Sequence, residues 1–252
     1  MPSGLPSSGE IAVLDLFNAY ANGYTMQGYY RGNGKVPDIP LNINIPTSGT
    51  IALNNFYSTF PIVEFSTTNS AATLNFNLKT FLTSVGWNGI QPFNVTYTNS
   101  SILGSSGPST VAWTTGGVIA PQGSVVTIIN SAGAYITGAG GNGNETGTAG
   151  IAMYIDSTCP VIIYNYGTIQ SGGVGGAGGS GGYGGGGAGY IAGVGQGYGG
   201  PGSLTGGGGG GYNPNKGTAN GSGGSGPGAT YAILGINYVT FAVRGTITGS
   251  TG

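Results

Sequence analysis

The sequence predicts a mainly β and irregular chain in three parts. Two short N-terminal segments occupy 1–62, a small α+β unit occupies 63–120, and a glycine-rich domain of packed polyglycine II helices occupies 121–252. Three observations carry this: a three-residue glycine beat between Gly172 and Gly228, apolar strand-like segments on both sides of it, and a charged content of only 4 %.

The N-terminal part contains a loose duplication. Ser8-Gly9-Glu10-Ile11-Ala12 is echoed by Ser48-Gly49-Thr50-Ile51-Ala52, and each copy runs on to aromatics, Phe17 with Tyr20 and Phe56 with Tyr57. Each copy reads as an extended piece followed by a helical turn, with Asp15 and Asn54 or Asn55 as caps. Pro37, Pro40 and Pro46 keep the chain between them extended. Two readings stand: an attachment arm that finishes folding on a partner, or an irregular subdomain packed on its own chain. On the first, Ile11, Leu14, Phe17, Ile51, Leu53 and Phe56 are the contact residues.

In the middle part, Ala72 to Phe76 alternates as a strand. Leu78, Phe81, Leu82 and Val85 then fall on one face of a short helix, with Asn75 or Asn77 to cap its start and Gly86 to end it. β-like pieces follow at Phe93 to Tyr97, Ser101 to Leu103 and Thr110 to Thr114. Trp87 and Trp113 are expected in the core.

From about 121 a longer repeat emerges. Val125 to Asn130 leads to Tyr135-Ile136-Thr137, Val161 to Asn165 leads to Thr168-Ile169, and Val239 to Val243 leads to Thr246-Ile247, each copy running into glycine. Such self-similarity predicts repeated units that stack side by side rather than one globular core, with the strands as an apolar platform from which the glycine segments run out and back.

The glycine tract opens as GGV-GGA-GGS-GGY-GGG from Gly172 to Gly186. A period of three fits neither an α-helix nor a strand. It fits the polyproline II helix, in which fifteen residues at about 3.1 Å each span roughly 46 Å. Two glycines per turn leave two faces bare, so backbones can approach and bond to one another. A flexible linker is the usual reading of such composition. Against it, the tract is held at both ends by apolar segments and carries Tyr183, Tyr190, Ile191, Val194, Tyr198, Leu204 and Tyr212.

Function classes fall away one by one. A net charge of −1 argues against nucleic acid and anionic lipid. No apolar run reaches the length of a membrane span, and no signal peptide is visible, so synthesis in the cytoplasm is expected. With no histidine, neither a Ser-His-Asp nor a Cys-His site can form. The six acids are scattered singly, zinc ligands are missing, and the lone Cys159 reads as a small buried residue. No enzyme, metal or cofactor is expected.

What remains is a binding surface. Islands interrupt the glycine at 142–148, 183–198, 203–205 and 212–220, mixing Tyr with Asn, Ser and Thr as binding loops do. The competing reading is that these are turns with no partner. Tyr183, Tyr190, Tyr198 and Tyr212 are the first candidates for contact, followed by Asn142, Asn144, Asn213, Asn215 and Lys216.

Asn75-Phe76-Asn77-Leu78, Val85-Gly86-Trp87-Asn88-Gly89, Ile128-Ile129-Asn130 and Asn165-Tyr166-Gly167-Thr168-Ile169 opening into GGxGGx together resemble tail-fibre and receptor-binding proteins of tailed bacteriophages. The SG-x-IA openings resemble segments of phage tail structural proteins. The glycine tract is similar to the adhesins at the tips of T-even-type long tail fibres, whose distal domain is a sandwich of polyglycine II helices. The resemblance implies a virion protein that recognises a host cell-surface receptor, protein or glycan, by loops at its tip. It also implies docking on another tail or baseplate protein, with a homotrimer among the assemblies to consider. A passive structural tail or decoration protein is the alternative; an ice-binding coat would want a flat Thr or Ala face that the islands do not supply.

Overall fold

The computed structural model describes residues 5, 7–20, 26–33, 36–142, 149–156, 159–176, 182–183, 211–212 and 231–252. The N-terminal region opens with α1 (Val13–Tyr20) and continues through single 3₁₀ turns at Met26–Tyr29, Pro40–Asn42 and Leu53–Phe56. Its duplication is structural as well as sequential. The Ala12 N–H donates to Asp15 Oδ2 at 2.8 Å, and the Ala52 N–H donates to Asn55 Oδ1 at 2.7 Å. In both copies a side chain three residues on thus satisfies a backbone donor at the start of a helical turn. Gly9 and Gly49 both adopt positive φ, +99° and +85°. Their carbonyls accept from Tyr57 and Tyr30 hydroxyls respectively.

Of the two readings, the region packs on its own chain. Leu5, Ile11, Leu16, Tyr20, Tyr29, Val36, Ile45 and Phe56 form one buried cluster, with Ile51 packed against it. Tyr20, Tyr29 and Phe56 meet edge to face at centroid distances of 6.0–6.5 Å. Ile11 and Phe56 are therefore corrected from contact residues to core residues: a side chain buried among its own neighbours has no surface to offer. Phe17 is half-buried, and Leu14 and Leu53 are exposed.

The rest of the chain winds as a three-sided parallel β-solenoid. The first coil is β1 (Val63–Asn69), β2 (Thr73–Leu74) and β3 (Phe76–Asn77). The second is β4 (Phe93–Asn99), β5 (Ile102–Gly104) and β6 (Val111–Thr114), and the third is β7 (Val125–Asn130), β8 (Tyr135–Thr137) and β9 (Ile151–Tyr154). The fourth has β10 (Val161–Asn165) and β11 (Thr168–Gln170), then a small antiparallel pair, β12 (Gly182–Tyr183) with β13 (Gly211–Tyr212), before it closes with β14 (Tyr231–Leu234). The fifth is β15 (Val239–Val243), β16 (Thr246–Thr248) and β17 (Ser250–Thr251). Each coil gives one strand to each of three five-stranded sheets, β1-β4-β7-β10-β15, β2-β5-β8-β11-β16 and β3-β6-β9-β14-β17.

Like side chains stack on like between coils. Val95, Val126, Val161 and Val239 are in register on the first face, and Leu103, Ile136, Ile169 and Ile247 on the second. On the third, Phe76, Trp113, Met153 and Ile233 align. These columns form one core, in which Trp113 is fully buried and Trp87 is packed at the margin. The expected boundary at 120/121 falls between β6 and β7, and the same three sheets run through it.

The segment Ala72 to Phe76 is not one strand. Asn75 turns the chain at φ +53° and splits it into β2 and β3 on different faces. The helix predicted next is α2 (Leu78–Ser84), capped by Asn77 Oδ1, which accepts from the Thr80 N–H at 3.0 Å. Leu78 and Leu82 are buried by it, and Phe81 meets Phe65 and Phe76 at 6.5 and 5.9 Å, so α2 covers the core at its first-coil end.

Candidate functional site

The solenoid has three corners. At the first, between faces one and two, the connections are short and a buried amide ladder runs up the column. Asn69 donates to Asn99 at 2.7 Å, Asn99 to Asn130 at 2.8 Å, and Asn130 to Asn165 at 2.8 Å. Each amide that donates upward spends its second N–H on a backbone carbonyl of the corner: Ile102 at 3.5 Å, Tyr135 at 3.0 Å and Thr168 at 3.2 Å. In the last coil Asn165 donates to the Arg244 and Thr246 carbonyls. Buried amides are thereby satisfied without charge.

The second corner, between faces two and three, is where the glycine leaves. In the first and fifth coils the connection is a single residue, Asn75 or Gly249; in the second coil it is 105–110, in the third 138–150, and in the fourth 171–230. Every glycine-rich excursion of the chain therefore departs from one edge of the solenoid.

The described bases of these excursions bond to one another through the backbone. The Gly138 N–H donates to the Gln170 carbonyl at 3.0 Å, extending the β8–β11 ladder. Further out, the Gly141 N–H donates to the Gly173 carbonyl at 2.9 Å. Gly150 N–H donates to the Ala139 carbonyl at 2.7 Å, and Gly172 N–H to the Gly150 carbonyl at 2.9 Å. Three backbone segments, 138–141, 150 and 171–173, are bonded in all three pairings, whereas a flat sheet leaves its outer pair apart.

Only glycine fits there. A methyl group on Gly138 would land on the Gly150 carbonyl, one on Gly172 on the Ala139 carbonyl, and one on Gly150 on Ser105 Oγ. Ser105, fully buried, accepts the Ala139 N–H at 2.6 Å and so supplies an acceptor that the backbone does not.

Among the residues singled out from the sequence, Asn142 lies at this corner and is half-buried. Tyr183 and Tyr212 fall in β12 and β13, with Tyr183 opposite Gly211 and Gly182 opposite Tyr212, which brings the two tyrosine positions onto adjacent strands. Tyr190, Tyr198, Asn144, Asn213, Asn215 and Lys216 lie outside the described residues. Two features went unread in the sequence: the amide ladder, signalled by the strand ends Thr68-Asn69, Thr98-Asn99, Ile129-Asn130 and Tyr164-Asn165, and the Ser105 anchor, for which the sequence carries no signal.

Chemistry is sparse. Among the described residues no cluster of His, Cys, Asp or Glu could hold a metal ion. Cys159 is buried as expected of a small apolar residue, and burial pushes its thiol up to about 12, the protonated and unreactive form. No described helix is long and apolar enough to cross a membrane.

The fold is thus a parallel β-solenoid that sends its glycine-rich excursions from one corner. Residues 64–252 match the family model of the phage tail fibre adhesin Gp38, and the chain belongs to that family. It is a bacteriophage tail fibre adhesin in class. Among solved structures, the gp37–gp38 adhesin tip complex of the bacteriophage S16 long tail fibre is similar at 20 % identity and a TM-score of 0.46, over 82 % of this chain and 88 % of that one. No curated protein matches the chain.

Proposed function

We propose that this adhesin binds a host cell-surface receptor, protein or glycan, through side chains carried on its glycine-rich excursions, and that it does so without catalysis. The observation that supports this most is the single corner: the glycine-rich excursions share one origin on the solenoid. The excursions pack as polyglycine II helices in this reading. The pairwise backbone bonding of 138–141, 150 and 170–173 supports it, since polyglycine II helices have no internal hydrogen bonds and must bond to neighbours.

Glycine backbones cannot tell one surface from another. Discrimination needs groups that match or mismatch a partner, and the tyrosines and asparagines of the islands are those groups. Tyr183 and Tyr212 lead, being on adjoining strands, and Tyr190, Tyr198, Asn142, Asn144, Asn213, Asn215 and Lys216 are the further candidates. In this division of labour 121–252 recognises the host, 63–120 is the adaptor and 1–62 attaches to another tail or baseplate protein. Leu14 and Leu53, exposed at 63 % and 41 %, are the N-terminal residues suited to that contact.

The test is to exchange 183–198 and 212–220 for islands from a relative of different host range. Adsorption to the original host should fall to background while the melting temperature and retention on the particle stay unchanged. Unaltered host range would place recognition elsewhere on the molecule.

A further inference from the structure

The core columns change character at one end of the solenoid. One column runs Tyr97, Ile128, Ile163 and Phe241 through coils two to five, and its neighbour runs Leu103, Ile136, Ile169 and Ile247. In coil one the same two positions are Thr67 and Thr73. Short hydroxyl side chains thus stand where every later coil places a large apolar one. The end of a solenoid needs a polar outer face, but it does not need a hollow. Here there is one. α2 closes only part of the first-coil end, and beside it lies a cleft of about 440 Å³, none of whose described lining residues is charged. That volume is within the range of small-molecule sites.

The walls combine hydroxyls with aromatic rings. Thr67 and Thr73 line the strand side. Thr80 and Ser84, four residues apart and so on one face of α2, line the helix side, and the half-buried rings of Phe76 and Phe81 border the cleft as well. Tyr97 borders it from beneath, in register with Thr67 and only 2 % exposed. Its hydroxyl has no partner among the described residues. Burial alone acts on it and raises its pKa, whereas the buried Tyr20 hydroxyl donates to Thr59 at 2.6 Å. Nor is the Tyr97 hydroxyl sealed from the surface as Trp113 Nε1 is. A buried hydroxyl without a partner costs stability, and one that borders an open cleft is satisfied by what enters it.

We propose that this cleft binds an uncharged sugar residue of a cell-surface glycan, with the sugar's hydroxyls bonded to Tyr97, Thr67 and Thr80 and its C–H face against Phe76 and Phe81. A pyranose carries hydroxyls around its rim and C–H groups on its faces, and the negative face of an aromatic ring attracts the latter. The chemistry is selective. A charged sugar would lose hydration and find no counter-charge, and an aliphatic ligand would leave the Tyr97 hydroxyl unpaired. The site is additional to the receptor contact argued above and does not rest on it: the cleft lies on coil one, whereas the islands at 183–198 and 212–220 leave from coil four.

The test titrates the purified full-length adhesin with neutral hexose and N-acetylhexosamine disaccharides, followed by ligand-observed NMR, with sialylated and sulfated sugars for comparison. At least one neutral sugar should bind, and every charged one more weakly. Tyr97→Phe and Thr67→Val should each weaken binding about threefold to tenfold. Their melting temperatures at neutral pH should hold or rise, because neither hydroxyl has a partner among the described residues; a purely structural role would lower them. Thr80→Trp fills the mouth and should abolish binding, and Ile119→Ser, at the third corner, should bind like the wild type. The proposal is overturned if no neutral sugar binds, or if Tyr97→Phe and Thr67→Val bind it undiminished. It is equally wrong if the sugar is lost on exchanging the islands and kept in Thr80→Trp, which would put the glycan site on the excursions. A third outcome also sinks it: no sugar bound, and Thr80→Trp shed from the phage particle, which would make the cleft a seat for a protein partner.

Discussion

Two corners of one solenoid solve the same problem in opposite ways. At the first, polar groups that turn inward are satisfied by side chains: Asn69, Asn99, Asn130 and Asn165 hand hydrogen bonds from coil to coil. At the second, backbones largely satisfy one another across Gly138, Gly150 and Gly172, with Ser105 Oγ as the one side-chain acceptor described there. The ladder demands one residue type at one position in every rung, and the connections there span only two to four residues. At the glycine corner the connections run from Asn75 alone to the whole of 171–230. Regularity at one edge is what leaves the neighbouring edge free to vary.

The largest effect should come from the ladder. Asn130→Leu removes an acceptor from Asn99, a donor from Asn165 and the bond to the Thr168 carbonyl, all in buried surroundings. A loss of about 3–5 kcal/mol is expected, read as a lower urea midpoint at unchanged slope. A loss below about 1 kcal/mol would mean that the ladder decorates the corner and does not hold it.

The glycine corner should show a smaller but position-specific penalty. Gly138→Ala sets a methyl on the Gly150 carbonyl and should cost about 2–3 kcal/mol. Gly107, in the same corner one coil earlier, has open space where its Cβ would be, and Gly107→Ala should change stability by less than about 0.5 kcal/mol. Equal effects at the two sites would erase the distinction between bundle and loop.

The smallest test uses pH. Amides and peptide groups do not titrate in the working range, so neither corner should respond to moderate pH. The buried hydroxyls and thiol should: desolvation raises Tyr20, Tyr97 and Cys159 above their ordinary values. Groups held neutral in the folded state stabilise it fully below their unfolded pKa, and that stability is lost as pH rises toward the folded value. The melting temperature should therefore fall from about pH 9–10 upward, and Tyr97→Phe should blunt the fall. An unchanged slope in that variant would exclude Tyr97 as a source.

Much of this was legible in particular residues. The strands at 125–130, 161–165 and 239–243, with their partners at 135–137, 168–169 and 246–247, stand out in the sequence as copies of one unit, and the structure pairs them strand by strand. The helix after Asn77, its cap and the core position of Trp113 were equally plain. The winding was not. Alternation tells which side of a strand is buried, not which sheet receives it, and a corner made by one residue such as Asn75 leaves no composition change to notice. The first two coils therefore read as a separate unit. Ile11 and Phe56 were misplaced for a related reason: an apolar residue in a short segment looks the same whether its partner is another protein or Tyr20 and Tyr29.

Gln170 ends the second face of the fourth coil and Tyr231 begins the third. In the first coil Asn75 alone makes the equivalent connection between Leu74 and Phe76. Everything between Gln170 and Tyr231 is thus an insertion whose two ends meet on a frame that closes without it. Genetic exchange across those two points would replace the longest connection of the second corner and leave the frame's own residues untouched. A lineage can then lengthen, shorten or replace this segment by recombination, while inheriting the ladder and the coils unaltered.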